Sequence, residues 1–282
     1  MNSLIKFTMA VVTVAALSSS FATTVVPGYA DPWLAGMTNG ARASSGDIAP
    51  AQSPAEVADF PIIPGMRLTF TPSGAVSYGA PHPPEGPEGL ISDVCAHADG
   101  AENGIATCTA PADALVGVFL GQGLPCLTIA PPPLSFATPE TRAYTNLAPV
   151  LKQVFYIGDG RTSGGVVQKV LVPPGAARLF LGTMDGSGWY DNFGSFTVGV
   201  SSPDLPRLSI SSKVSEVDVC WNSVSNATYR VECSSNLIAN IWVLLQGDVS
   251  SIGTNICITD KPLLGVSQRF YRVVLTNGIP TP

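Results

Sequence analysis

The stretch Thr183-Met184-Asp185-Gly186-Ser187-Gly188-Trp189-Tyr190-Asp191-Asn192-Phe193-Gly194-Ser195-Phe196 holds the residues whose types and spacing speak most directly of chemistry. Asp185, Asp191 and Asn192 lie in a glycine-rich turn between two expected strands, so three side-chain oxygens can face one point. Calcium takes about 6–8 oxygen ligands at roughly 2.3–2.6 Å, and glycines let a short loop aim several of them inward. Two carboxylates would offset the double charge of the ion. The same composition also suits a plain hairpin loop, since Asp, Asn and Gly are what such loops contain, and the spacing follows none of the fixed calcium motifs. Trp189 sits inside the loop with two readings, a ring that stacks on the apolar face of a sugar or a ring folded back onto the sandwich edge.

Elsewhere the chain offers little for catalysis. Hydrolysis by a nucleophile needs a base positioned beside Ser or Cys, and with two histidines, His82 and His97, and no Gly-x-Ser-x-Gly elbow there is no triad to build. A pair of carboxylates can cleave glycosidic bonds, but Asp185 and Asp191 are better explained as metal ligands, and the chain is not expected to be an enzyme. His82 follows Tyr78 on a Pro/Gly-rich loop and is assigned to ligand contact, a surface loop role being its alternative. The run His97-Ala98-Asp99-Gly100-Ala101-Glu102 invites a metal reading, yet its spacing matches no ligand motif.

The elements that must position the loop read as strands. Met66-Arg67-Leu68-Thr69-Phe70-Thr71 alternates apolar and polar residues as a half-buried strand does, Pro72-Ser73-Gly74 reads as a turn, and Ala75-Val76-Ser77-Tyr78 as a return strand. Residues 79–89 read as an irregular loop. Further strands are expected at Leu115–Leu120, 166–172, 177–182 and 195–200. Ser201-Ser202-Pro203-Asp204-Leu205-Pro206 is a linker by composition, and after it six short β-like runs recur at roughly ten-residue spacing. The expected fold is all-β: a jelly-roll-like β-sandwich over residues 23–200, a linker at 201–206, and a second small β-sandwich module over 207–282.

Composition agrees with this class. The chain has 282 residues with 28 Gly, 25 Pro and 12% charged residues, which suits many short strands joined by tight turns. The first residues read as an export signal of residues 1–22, with Lys6 as the positive start, an apolar run to Leu17 and Ser20-Phe21-Ala22 for cleavage. That run is too short for a hydrocarbon core of about 30 Å, so no membrane span is expected and the protein is read as secreted. Net charge is −6, and loss of Lys6 with the signal leaves 13 basic residues against 20 acidic ones, which argues against a nucleic-acid partner. Six cysteines in an exported chain favour disulfides. They fall three and three, so full pairing requires one bond between the halves and otherwise two thiols stay free; Cys95–Cys108 and Cys220–Cys233 are the preferred local pairs.

The order Ala-Val-Ser-Tyr78-Gly, Gly86-Pro87-Glu88-Gly89, Leu115-Val116-Gly-Val-Phe-Leu-Gly, Val172-Pro-Pro-Gly-Ala and Asp185…Tyr190-Asp191-Asn192-Phe-Gly-Ser-Phe-Thr-Val198 resembles the bacterial calcium-dependent galactophilic lectins of the PA-I type. The resemblance covers residues 59–200. It implies a jelly-roll-like sandwich in which one Ca2+ bridges protein and carbohydrate, neighbouring sugar hydroxyls completing the metal shell. By position it implies backbone carbonyls from Tyr78 and Gly188, a carboxylate from Asp185, and side-chain oxygens from Asp191 and Asn192. The chain differs in having Asp191 where the lectins carry Asn, a loop one residue shorter before that pair, and residues 122–165 as an insertion. The functions in contest are a calcium-dependent, galactose-type sugar-binding protein, which an oligomer would make multivalent, and a structural extracellular module in which calcium only stiffens the loop.

Overall fold

The computed structural model of the protein describes residues 21–213, 216–223, 227–251, 255–262 and 268–277. The export signal expected at residues 1–22 lies outside them except for its last two residues. The described chain forms two compact units, Phe21–Pro203 and a second that begins at Asp204, close to the expected linker.

The first unit carries β1 (Phe21–Pro27), β2 (Ala55–Glu56), β3 (Arg67–Ser77), β4 (Leu90–Ala96), β5 (Cys108–Ala112) and β6 (Leu115–Leu120). It continues with β7 (Leu134–Ser135), β8 (Asn146–Leu147), β9 (Val154–Tyr156), β10 (Lys169–Leu171), β11 (Arg178–Thr183) and β12 (Phe193–Ser201). The second unit carries β13 (Leu208–Ser212), β14 (Val217–Asn222), β15 (Thr228–Ser234), β16 (Val243–Ser250), β17 (Asn255–Asp260) and β18 (Phe270–Asn277).

The protein is all-β, as its composition demands. In the first unit one sheet runs β1-β12-β3-β10-β8 and another β2-β11-β6-β9, so the chain switches sheet at each step from β9 to β12 in the manner of a jelly roll. A smaller sheet is ordered β4-β5-β7, and just beyond β4 the Ala98 N–H bonds the Gly186 carbonyl in the loop between β11 and β12. Strand β6, Leu-Val-Gly-Val-Phe-Leu, is buried at every position because it is central in its sheet, between β11 and β9. The segment expected as an insertion, residues 122–165, supplies the short strands β7, β8 and β9. In the second unit the sheets β13-β14-β17 and β16-β15-β18 enclose a core of Val219, Trp221, Tyr229, Val231 and Tyr271, the expected small sandwich.

Two sequence expectations are corrected here. Pro72-Ser73-Gly74 is no turn: β3 runs through it, and Pro72, Ser73 and Gly74 pair with Val198, Thr197 and Phe196 of β12. Beyond Leu68 the other side of β3 is unpaired up to the single Val76–Glu85 bridge, because β10 pairs only with Arg67 and Leu68, so a proline without an N–H costs no sheet bond at position 72. Gly74, at φ 105°, accepts a close approach of β12, since a Cβ on it would stand 2.4 Å from the Ser195 carbonyl oxygen. The disulfides also differ from expectation. Cys220 bonds Cys257, its direct partner in the β14–β17 register, whereas Cys233 is buried in the other sheet of the module as a free thiol. Cys95, Cys108 and Cys126 are free as well, so the preferred pairs Cys95–Cys108 and Cys220–Cys233 are both replaced.

Candidate functional site

Two strand ends and one tight turn assemble the site. Strand β12 pairs with β3 up to Phe193 opposite Ser77, which sets Asn192 and Asp191 beside Tyr78 and Gly79, more than a hundred residues earlier in sequence. A Cβ on Gly79 would lie 3.4 Å from Asp191 Oδ2, so the absent side chain leaves room for that carboxylate. On the other side, the chain leaving β11 is clipped to the β5–β6 turn: the Asp113 N–H donates to the Met184 carbonyl (2.7 Å) and the Met184 N–H to the Ala114 carbonyl (2.8 Å). Asp113 occupies this turn at φ 66°, a left-handed conformation that Asp tolerates better than most residues.

The loop between β11 and β12 is drawn in by its own polar groups. The Gly186 N–H donates to Asp185 Oδ1 at 2.5 Å, and the Asn192 amide donates to Asp185 Oδ2 at 3.0 Å. Gly188, left-handed at φ 77°, opens the single 3₁₀ turn Trp189–Asp191, and the Asn192 N–H closes it on the Trp189 carbonyl (3.1 Å). Asp185, Gly188 and Asn192 are buried, while Asp191 and Tyr190 face solvent, Tyr190 with 64% of its surface exposed.

Charge in this corner is of one sign. Burial, and after it the charges of Asp185, Glu85 and Asp93, push the Asp113 carboxyl up to about 7. Burial also raises Asp185 above the usual carboxylate range, against the hydrogen bonds from Asn192 and Gly186 that favour its ionised form. The thiol of Cys95, facing the same carboxylates, is pushed up to about 12, first by burial and then by Asp185 and Asp93. The charges that weigh most on Asp113 and Asp185 are other carboxylates: Asp185, Glu85 and Asp93 on the first, Asp191 on the second. Two acceptors in this acidic setting, Asn192 Oδ1 and Asp113 Oδ2, are buried without any hydrogen-bond partner. An unpaired buried acceptor costs on the order of 1–3 kcal/mol, which a cation binding at these oxygens would offset.

Six of the seven expected site residues therefore meet: Asp185, Asn192, Asp191 and Gly188 in the loop, Tyr78 beside them, and His82 next to Tyr78. The Tyr78 hydroxyl and His82 Nδ1 are 2.9 Å apart with their rings 4.2 Å apart, and the same hydroxyl donates to Asp93 Oδ2 at 3.3 Å. His82 and Asp93 are exposed. Trp189 is the exception. Its side chain is fully buried, its Nε1–H donates to the Thr183 carbonyl (3.0 Å), and its ring packs at 5.5 Å from Trp33. The sandwich-edge alternative holds for it, because the left-handed Gly188 turns Trp189 inward and its neighbour Tyr190 outward. A sugar-facing Trp189 is thereby corrected to an exposed Tyr190.

Asp113 is the site residue that sequence reasoning passed over. Its only local signal is an Asp in Pro111-Ala112-Asp113-Ala114-Leu115, a position that turn chemistry alone explains. No protein-family model, no curated protein and no solved structure matches the chain.

Proposed function

We propose that the Phe21–Pro203 unit is a secreted, calcium-dependent carbohydrate-binding domain. The observation that carries this reading is the pair of unpartnered buried acceptors, Asn192 Oδ1 and Asp113 Oδ2, beside a buried Asp185 carboxylate that faces the like charge of Asp191. Asp185, Asn192 and Asp191 would hold the ion, with Asp113 adding charge behind them and the carbonyls of Tyr78 and Gly188 as the remaining protein ligands. Oxygen donors alone suit a hard cation, and calcium shells of about 6–8 ligands leave room for two adjacent sugar hydroxyls. Asp191, Tyr190 and His82 form the exposed rim: a carboxylate at the ion, an aromatic face for the sugar ring, and a ring nitrogen within reach of a hydroxyl.

The burial of Asp185, Asn192 and Asp113 favours the other reading, a structural module in which calcium only stiffens the loop. A glycan array probed in calcium and again in chelator separates the two. Calcium-dependent binding, with a galactose-type preference and loss on Asp191→Ala, is the expected result; one site buries little surface, so multivalent display is required. Absence of any calcium-dependent signal from protein that holds the ion would leave the structural module.

A further inference from the structure

A second cluster adjoins the oxygen site and has a different ligand chemistry. β4 runs into His97, the turn closes with the Gly100 N–H on the His97 carbonyl (3.1 Å), and Glu102 pairs with Ile105 across the next turn. These two turns bring His97, Asp99 and Glu102 together, with one ligand atom of each within 4.8 Å of the others.

The protonation logic of His97 is what makes this more than a group of polar residues. Its Nδ1 lies 2.7 Å from the Gly100 carbonyl oxygen, which can only accept, so Nδ1 carries the hydrogen. Its Nε2 lies 3.5 Å from Glu102 Oε2, also an acceptor. The His97 side chain is fully buried and stacked on Trp33 with ring centroids 3.8 Å apart, and neither Nε2 nor Glu102 Oε2 has a hydrogen-bond partner. Glu102 cannot turn away, because its Oε1 accepts both the Ser44 N–H (2.6 Å) and the Ser44 hydroxyl (2.7 Å). Two buried lone pairs thus face each other, and only a proton or a cation between them resolves the contact.

We propose that His97 Nε2, Asp99 and Glu102 bind a zinc-class divalent transition metal, water completing the shell on the exposed Asp99 side. Zinc bonds of about 2.1 Å in a tetrahedron place neighbouring ligand atoms about 3.4 Å apart, close to the 3.5 Å between Nε2 and Oε2. An imidazole ligand distinguishes this site from a calcium site, and the Gly100 carbonyl and Ser44 are the outer groups that orient metal-binding His and carboxylate side chains. The Ala98 N–H donates to the Gly186 carbonyl at 2.8 Å, so metal held here would also brace the loop that carries Asp185. The proposal does not rest on the sugar-binding reading.

The test is calorimetric titration of Zn2+ into the metal-free full chain, repeated with calcium present, and cobalt(II) spectroscopy of the same protein. One zinc per chain is expected, calcium should not displace it, and cobalt should show the intense visible bands of four-coordination without thiolate charge transfer. Glu102→Gln and Asp99→Asn keep side-chain shape and should each weaken zinc at least tenfold; Glu102→Gln should also give His97 Nε2 a hydrogen-bonding partner in place of the metal. Zinc binding that both variants leave unchanged, a thiolate band from Cys126 or another free cysteine, or no zinc binding with a persistent His97 imidazolium by NMR would each overturn the proposal.

Discussion

Replacing Asp113 with Asn tests the acidic corner most sharply, because the substitution removes a charge while keeping shape. The folded carboxyl titrates at about 7, raised by burial and the charges of Asp185, Glu85 and Asp93, against 3.8 for the ordinary group. A raised carboxyl binds its proton more tightly in the folded state, so this group's contribution favours folding below the unfolded value and is lost as pH climbs towards 7. Three units would correspond to about 4 kcal/mol, and screening at the edge of a solvent-facing loop reduces that to about 2 kcal/mol. For a unit of this size that is a fall of about 4–8 °C in melting temperature between pH 4 and pH 8, measured in chelator. Asp113→Asn should flatten that fall, melting higher than the parent at pH 8 without metal and gaining less from calcium. Calcium should in turn cancel the parent's fall, since an ion binds the deprotonated carboxylates. Scanning calorimetry across pH, with and without calcium, measures all three effects. A variant with the parent's pH slope and the parent's full calcium response would refute the shared electrostatics of Asp113 and the loop.

Asp185→Ala and Asp191→Ala should each remove most of the calcium-induced rise in melting temperature, and the double variant little more than the worse single one, because groups serving one ion are coupled; additive losses would assign them separate roles. Trp189→Phe should cost about 2–4 kcal/mol in urea titration, through lost packing and an unpaired Thr183 carbonyl, whereas Tyr190→Ala should stay within about 0.5 kcal/mol yet lower glycan binding. Peptide mapping should find Cys220 linked to Cys257 and thiols at Cys95, Cys108, Cys126 and Cys233. Cys257→Ser should destabilise the second unit by about 4 kcal/mol, the loop-closure value for a separation of 37 residues.

The all-β class, five of the first unit's strands (β3, β6, β10, β11 and β12) and the six described strands of the second were legible in the chain, because alternation, β-branched residues and Gly/Pro punctuation are local signals, whereas β1, β2, β4, β5, β7, β8 and β9 were not. Strand β6 was read to the residue, since a continuous apolar run bounded by Ala114 and Gly121 has one sensible fate. That Asp185 and Asn192 lie close was legible too, because seven residues of glycine-rich loop can return only so far, but the Asn192 amide donating to Asp185 Oδ2 was not. What local signals could not decide was pairing. Pro72-Ser73-Gly74 is a turn by composition and a strand by partner, as β12 offers it a ladder on one side and β10 stops short on the other. The fate of the cysteines follows from the β14–β17 register, which sets Cys257 rather than Cys233 opposite Cys220. Trp189 and Tyr190 are neighbours of similar character, and only the left-handed turn at Gly188 determines which ring is buried. Asp113 joins Asp185 through the clip between Met184 and the β5–β6 turn, some seventy residues apart in the chain, and His97 meets Glu102 across two turns whose spacing fits no motif. The sequence by itself determined which atoms were available to bind a cation, since residue types set the chemistry. Tertiary structure alone decided which of those atoms are buried without partners, because burial and register depend on contacts that no local stretch of chain contains.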